Sequence, residues 1–118
     1  MRRKHHDLQA WQLAIQLVKQ VYALTATFPR DEIFGLTSQM RRAAISVPPN
    51  IAEGAARGTD KEFLHFLHIA RGSLSELETQ TILARKLGFA NETEAVELLM
   101  ESVFGKLGGL IKLKKVAP

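Results

Sequence analysis

The chain has 118 residues and a formal net charge of +4, a length that suits one domain with its own hydrophobic core. Apolar residues make up 46% and charged residues 24%, which is the balance of an ordinary globular protein, and the lack of cysteine excludes disulfides and thiolate chemistry. No apolar run approaches the roughly 20 residues of a membrane span, and the N-terminus has no signal-peptide pattern. We therefore expect a single cytoplasmic domain over residues 1–118, with no membrane partner.

The positive charge is concentrated at the two chain ends, residues 1–6 and 112–118, so that residues 5–111 carry a net charge of −2. Each end contributes three cationic side chains: Arg2, Arg3 and Lys4, and Lys112, Lys114 and Lys115. Basic ends attract phosphate backbones or acidic partners, but they also occur as solvated tails that aid solubility. Both interpretations stay open at this point.

The first predicted helix covers about residues 7–27, with the Asp7 carboxylate as its N-cap. Two neighbouring apolar stripes follow its helical period: Leu8, Trp11, Ile15, Val18 and Tyr22, and Leu17, Val21, Leu24 and Phe28. This apolar face is wider than a coiled-coil seam needs. We therefore expect the helix to contact both its own bundle and something else. The candidate oligomer interface is Trp11, Leu17, Val21 and Leu24.

The second predicted helix covers about residues 37–57, with a buried side that contains Met40, Ala43, Ala44, Val47 and Ile51. Pro48 and Pro49 interrupt it, and an interior proline removes a backbone hydrogen bond at a cost of about 3 kcal/mol. The sequence therefore predicts a proline kink or a short break near residues 46–49. Asn50 and Glu53 have the spacing that restarts a helix.

The third and fourth predicted helices cover about residues 60–87 and 91–113. Thr59 and Glu62 match a capping box at the start of the third helix, and Gly88 is suited to end it. Its core positions repeat in heptads: Leu67, Ala70, Leu74, Leu77, Thr81 and Ala84. Four long amphipathic helices with short connections predict an all-α, antiparallel, up-down-up-down four-helix bundle.

One sequence pattern suggests metal chemistry. Glu62 and His65 form the Glu-x-x-His pattern of di-iron bundles, but that site needs two such patterns and two further glutamates. Helical geometry turns His65 and His68 away from the core, and Glu62 is explained as a helix cap. No nucleophile is paired with a base. We therefore expect no metal, no cofactor and no enzymatic activity.

The second predicted helix carries three arginines, Arg41, Arg42 and Arg57. The planar guanidinium grips phosphate with two parallel hydrogen bonds, which makes these residues candidates for phosphate contacts. The alternative is a solvated surface held by salt bridges. Aromatic residues are not interleaved with the arginines, as they are in single-strand stacking sites.

Four segments resemble a known family: Phe34-Gly35-Leu36, Met40-Arg41-Arg42-Ala43-Ala44, Ser46-Val47-Pro48-Pro49-Asn50-Ile51-Ala52-Glu53-Gly54 and Glu76-Leu77-Glu78-Thr79-Gln80. Over about residues 7–89 the chain resembles the bacterial four-helix-bundle family named for proteins encoded in intervening sequences of 23S ribosomal RNA. It is also similar to accessory proteins of diversity-generating retroelements, which pair with a reverse transcriptase and are thought to bind nucleic acid. The resemblance implies a ring-like homopentamer.

Together these observations predict a non-enzymatic homo-oligomer, a pentamer by resemblance, that binds RNA or DNA beside a reverse-transcriptase or ribonucleoprotein partner. The predicted phosphate contacts are Arg41, Arg42, Arg57, Arg2, Arg3, Lys4, Lys112, Lys114 and Lys115. The alternative is a protein-interaction scaffold with no nucleic-acid role, which the −2 charge of residues 5–111 favours.

Overall fold

A computed structural model describes residues 2–115, and all of their regular secondary structure is helical, as predicted. The four long helices are α1 (Gln9–Thr25), α2 (Leu36–Ala56), α3 (Asp60–Lys86) and α4 (Glu94–Lys115). A short 3₁₀ helix precedes α1 at Lys4–Asp7, and a second one joins α1 to α2 at Arg30–Glu32. Packing of α1 and α3 against both α2 and α4 makes a four-helix bundle.

Contacts between neighbouring helices define two ends of the bundle. Asp60, the first residue of α3, forms an ion pair with Lys114 in the last turn of α4. At the opposite end, Arg85 near the end of α3 bonds Glu97 in the first turn of α4. The long helices thus bring residues that are distant in sequence together at each end.

The core of α3 agrees with the heptad pattern, since all six predicted positions are buried. Thr59 Oγ1 accepts a hydrogen bond from the Glu62 backbone N–H at 3.2 Å, which confirms the predicted cap. Gly88 has φ of +79°, in the left-handed region that glycine adopts without strain. The Phe89 N–H donates to the Ala84 carbonyl, and this bond closes the end of α3.

The assignment of the faces of α1 was partly wrong. Leu17 and Val21 have no exposed surface and lie in the core with Ala10 and Ala14, so they contact no second chain. Trp11 and Leu24 are half-buried and pack against that core. The two apolar stripes lie side by side on α1. The stripe with Leu17 and Val21 faces the core, because Ala10 and Ala14 on the same side of the helix allow close packing.

Two predicted helix starts also differ from the structure. The residue at the N-cap of α1 is Leu8 and not Asp7, and α1 has no side-chain cap. The Asp7 carboxylate pairs with Arg2 instead. The Asn50 side chain donates to the Ser46 carbonyl and does not restart a helix. Instead, α2 runs through both prolines without a break, and the proposed kink stays a prediction.

Gly54 allows α2 and α3 to approach closely. A Cβ atom at Gly54 would lie 2.9 Å from the Phe66 Cβ atom and 3.2 Å from the Phe63 carbonyl oxygen. Farther along the same interface, the hydroxyls of Ser46 and Ser73 are hydrogen bonded. The close contact fixes how α2 ends and where Arg57 lies.

Candidate nucleic-acid interface

The N-terminal 3₁₀ helix, the α2–α3 turn and the last turn of α4 meet at one end of the bundle. A cavity of about 280 Å³ there is lined by Lys4 from the N-terminal 3₁₀ helix, Arg57 from the end of α2 and Lys114 from α4. Gly58, Thr59 and Asp60 complete its polar lining. Three of the predicted cationic residues, each from a different part of the chain, therefore share one site. We call residues 2–7, 53–62 and 112–115 the basic end.

The charge of the molecule is polarised along the bundle. The basic end contains eight lysines and arginines against four carboxylates, a net charge of +4. The opposite end, residues 25–36 and 85–97, contains three lysines and arginines against five carboxylates, a net charge of −2. We call it the acidic end. The electrostatic potential is therefore more positive at one end of the bundle than at the other.

Arg57 caps α2 and lies between two carboxylates. Its guanidinium nitrogens are 3.5 Å from a Glu53 oxygen and 3.6 Å from a Glu62 oxygen, and its carbon lies 5.0 Å from the centre of the Phe66 ring. These pairs are half-exposed and longer than a charge-assisted hydrogen bond of about 2.7–2.9 Å. Exposed pairs of this kind contribute only about 0.2–1 kcal/mol. They hold the guanidinium in position and leave it available to an anion.

Lys114 is held in the same manner. Its ammonium lies 3.3 Å from Asp60 Oδ1 and 5.2 Å from the centre of the Phe63 ring. Only 24% of the side chain is exposed, because its stem packs along the end of the bundle. Its charge is thus fixed in place beside the cavity. Lys112 and Lys115 are exposed on the same last turn of α4.

The N-terminal residues are folded against the bundle. The 3₁₀ helix packs on α1 and α2, and the ring centres of His5 and His6 lie 5.0 and 5.3 Å from that of Trp11. Desolvation in this cluster, with the charges of His6 and Arg3, lowers the pKa of His5. This packing places Lys4 at the cavity, where it forms no ion pair with any of residues 2–115.

Arg41 and Arg42 lie away from the other predicted cationic residues. Arg42 lies 15 positions and Arg41 16 positions before Arg57 in the sequence, which corresponds to about 22 Å or more along the helix. Arg41 Nε donates to Thr25 Oγ1 at 2.8 Å, and its guanidinium lies over the Tyr22 ring. Arg42 is exposed beside a groove between α2 and α3. The structure therefore brings seven of the nine predicted residues to the basic end and leaves these two on α2.

Lys61, Thr59 and Gly58 complete the basic end, although the sequence analysis did not select them. Lys61 is exposed in the first turn of α3, next to Asp60. The sequence signal that could have identified Lys61 as a site residue is its position directly after the α2–α3 turn. Nothing in the local pattern of these three residues indicates that both chain ends pack around that turn.

An apolar surface crosses α1 and α2. Ile15 and Tyr22 share one side of α1 and are each 39% exposed, and Ile45 on α2 is 43% exposed. Arg41, one helical turn before Ile45 on the same side of α2, contacts Tyr22 and so joins the two helices. We call Ile15, Tyr22 and Ile45 the α1–α2 face.

The Glu-x-x-His residues are engaged elsewhere. Glu62 lies near Thr59 and Arg57, His65 makes an edge contact with Phe66, and His68 Nδ1 is 3.0 Å from an Arg71 guanidinium nitrogen. Residues 2–115 contain no group of three or more potential metal ligands. The same residues include no helix long and apolar enough to cross a membrane.

The pattern of this chain matches an established family. The sequence model of the 23S rRNA-intervening sequence proteins matches residues 6–104. The chain belongs to this family. The match covers most of the bundle, including the turn between α2 and α3 and the first half of α4. No curated protein matched the sequence. Family membership thus agrees with the four-helix fold, and the activity of this intervening-sequence family protein has to be argued from its surface.

Proposed function

We propose that this intervening-sequence family protein is a non-enzymatic, oligomeric bundle that binds RNA or DNA through its basic end. The observation that carries the proposal is the convergence of Lys4, Arg57 and Lys114 on one cavity, from three distant parts of the sequence. Scattered solvated tails would not produce this arrangement. The exposed Lys112 and Lys115 extend the same positive surface.

Electrostatics favours an end-on approach by the nucleic acid. Phosphate contacts supply most non-specific affinity for nucleic acids, because each neutralised phosphate releases condensed counterions. The +4 basic end attracts the polymer, whereas the −2 acidic end disfavours an approach from the other side. The end of α4 also places three lysines in its last turn, where the helix carbonyls alone would be electronegative.

Assembly would strengthen this weak binding. The α1–α2 face presents three large apolar side chains to solvent, and a second copy of the chain would cover them. A ring of parallel bundles places every basic end on one rim, so that contacts too weak alone act together. The homopentamer and the reverse-transcriptase or ribonucleoprotein partner implied by the resemblance are part of this proposal.

A salt titration tests nucleic-acid binding. Fluorescence anisotropy with a labelled RNA and a labelled DNA is expected to give affinities that fall steeply with salt. On duplex DNA, each phosphate contact contributes a slope of about −0.9 in log K against log salt. The variant Lys112→Gln/Lys115→Gln should lose about two phosphate contacts, so the magnitude of its slope should be smaller by about 1.8. Affinity that is absent, or flat between low and moderate salt, contradicts the proposal.

The matched control in this titration is Arg42→Gln. Arg42 is exposed, as are the two lysines, but lies on α2 away from the basic end. The control variant is therefore expected to retain the wild-type slope. An equal loss for Arg42→Gln and for the double lysine variant would assign binding to charge in general and not to the basic end.

A protein-interaction scaffold is the second candidate function. Phe34 at the acidic end is 94% exposed and Ile33 next to it is 50% exposed, so this end presents apolar side chains within a negative field. Exposed aromatics of this type are common anchors of protein interfaces. A pull-down with and without nuclease separates the candidates. A scaffold keeps its partners after nuclease treatment and loses them in Phe34→Ser, whereas partners bridged by nucleic acid disappear with nuclease.

A further inference from the structure

The cavity at the basic end differs from a flat positive surface. Its cations come from three elements that line it, namely the N-terminal 3₁₀ helix, the α2–α3 turn and the last turn of α4. It also lies at the first turn of α3, where backbone N–H groups have no acceptor within the helix and only that of Glu62 is capped by the Thr59 hydroxyl among residues 59–62. Resting on the nucleic-acid binding proposed above, we infer that this cavity is a subsite for a terminal phosphate monoester, such as the 5′-phosphate of a nucleic-acid strand.

The charges around the cavity suit a dianion. Lys4 has no ion-pair partner among residues 2–115, and Arg57 and Lys114 have exposed carboxylate partners at 3.3–3.6 Å. An incoming phosphate replaces these long contacts with short charge-assisted hydrogen bonds, which are about twice as strong as neutral ones. A terminal phosphate carries a charge of about −1.5 to −2 at pH 7. The lining also contains the Asp60 carboxylate, so its three cations leave a net charge of +2. A terminal phosphate gains more from this charge than an internal phosphodiester with one negative charge does.

The shape of the site favours a strand end over continuous backbone. An internal phosphate enters a recess only if the sugars on both sides follow it, whereas a terminal phosphate projects from the chain. The cavity of about 280 Å³ is lined by side chains from three elements, and the half-buried Phe63 is among them. Binding of continuous backbone then falls to the exposed cations outside the cavity, such as Lys112 and Lys115.

The experiment compares two oligonucleotides of one sequence, one with a 5′-phosphate and the other with a 5′-hydroxyl group. Anisotropy titrations on the full chain at moderate salt should show about tenfold tighter binding of the phosphorylated strand, the ratio expected from one added charge-assisted contact. Lys4→Ala and Lys114→Met should remove this preference. Lys4 is exposed and Met keeps the apolar packing of the Lys114 stem, so both variants should fold.

The matched control is Lys115→Met on the same helical turn. Lys115 does not line the cavity, so this variant should weaken both oligonucleotides by the same factor and keep the tenfold ratio. Equal affinities of wild type for the two strands would overturn the subsite and leave the proposed nucleic-acid binding intact. A preference that survives Lys4→Ala and Lys114→Met would also overturn it.

A mononucleotide titration separates the two proposals. Adenosine 5′-monophosphate should shift the amide NMR signals of Gly58 and Thr59, and adenosine should not. These shifts without oligonucleotide binding would support the subsite and contradict the proposed function. No shift with the monophosphate, or equal shifts with adenosine, would contradict the subsite whatever the oligonucleotides do.

Discussion

At the scale of single residues, the contacts of a cation decide its role more than its charge does. Arg41 and Arg57 are both arginines of α2, and the sequence assigned both to phosphate binding. Arg41 donates to the buried Thr25 hydroxyl and covers Tyr22, so its guanidinium already joins α1 to α2. Arg57 has only long, exposed carboxylate partners. Arg41 therefore contributes to stability, and Arg57 remains available for an anion.

Replacing Arg41 is expected to weaken the fold. Arg41→Met loses the hydrogen bond to Thr25 and the cation–π contact with Tyr22, which together should lower the free energy of unfolding by about 1–2 kcal/mol. Urea denaturation measures the change. Arg42→Met, one residue away and exposed, should remain within about 0.5 kcal/mol of wild type. An equal decrease in the free energy of unfolding of the two variants would show that the contact between Arg41 and Thr25 does not stabilise the fold.

His5 gives the N-terminal 3₁₀ helix a dependence on pH. Because desolvation, His6 and Arg3 lower the pKa of His5, protonation is less favourable in the folded chain than in the unfolded chain. The packing is therefore complete above the usual histidine pKa of about 6.5 and weakens as pH falls below it. The protection factor of the Leu8 amide, which is its intrinsic exchange rate divided by its observed rate at the same pH, should fall on acidification, because this amide donates to the His5 carbonyl. His5→Gln should flatten this response, and a protection factor that rises on acidification would contradict the assignment.

At the scale of the helices, the absence of a side chain at Gly54 allows α2 and α3 to approach closely. A Cβ atom at Gly54 would meet the Phe66 Cβ atom and the Phe63 carbonyl, neither of which lies at the end of a flexible side chain. The two helices, or the α2–α3 turn, must move apart to accept it. Since that turn carries Arg57 and Thr59, the geometry of the basic end depends on this contact.

The consequence is a destabilising substitution with a matched control. Gly54→Ala should lower the free energy of unfolding by about 1–3 kcal/mol, the usual cost of overpacking. Gly72→Ala lies on α3 with nothing within 4 Å of the added Cβ, and should raise stability by up to about 1 kcal/mol through helix propensity. Thermal and urea denaturation report both changes. A neutral Gly54→Ala would mean that the helices separate at no cost.

The helices also show what the sequence could and could not predict. Local chemistry fixes the ends of α3, because Thr59 supplies its cap and Gly88 the left-handed residue after it. The buried face of α1 was harder to predict, since two apolar stripes lie side by side. The helical period of the apolar residues does not show which stripe packs against the core. The Asp7 carboxylate was predicted to cap α1 and instead pairs with Arg2, five residues before it in the sequence. The meeting of Lys4, Arg57 and Lys114 depends on helix length and packing, which no local pattern encodes.

At the scale of the whole molecule, net charge differs between the two ends of the bundle, whereas exposed apolar side chains occur on all four long helices. The basic end has a net charge of +4, the acidic end −2, and the α1–α2 face runs along the side of the bundle. This arrangement assigns a separate region to each proposed interaction: nucleic acid at the basic end and a second copy of the chain along the side. The two interactions then do not compete.

Assembly is expected to fail when the α1–α2 face is charged. Ile15→Glu/Ile45→Glu should convert the oligomer to a folded monomer, because an assembled interface would bury two carboxylates without partners. Light scattering after size exclusion measures the mass, and circular dichroism checks the fold. Ile69→Glu, at 40% exposure on α3, is the control and should keep the oligomer. A monomeric wild type, or an oligomer unchanged in the double variant, would contradict this interface.

The central claim is that nucleic acid contacts the basic end, and lysine footprinting tests it most directly. Acetylation of the free and the RNA-bound protein, followed by mass spectrometry, compares lysines along the whole bundle. The account predicts protection of Lys4, Lys112, Lys114 and Lys115 on binding, with Lys19 and Lys86 unchanged. Protection centred on Lys86 at the acidic end, or equal protection of all lysines, would contradict it.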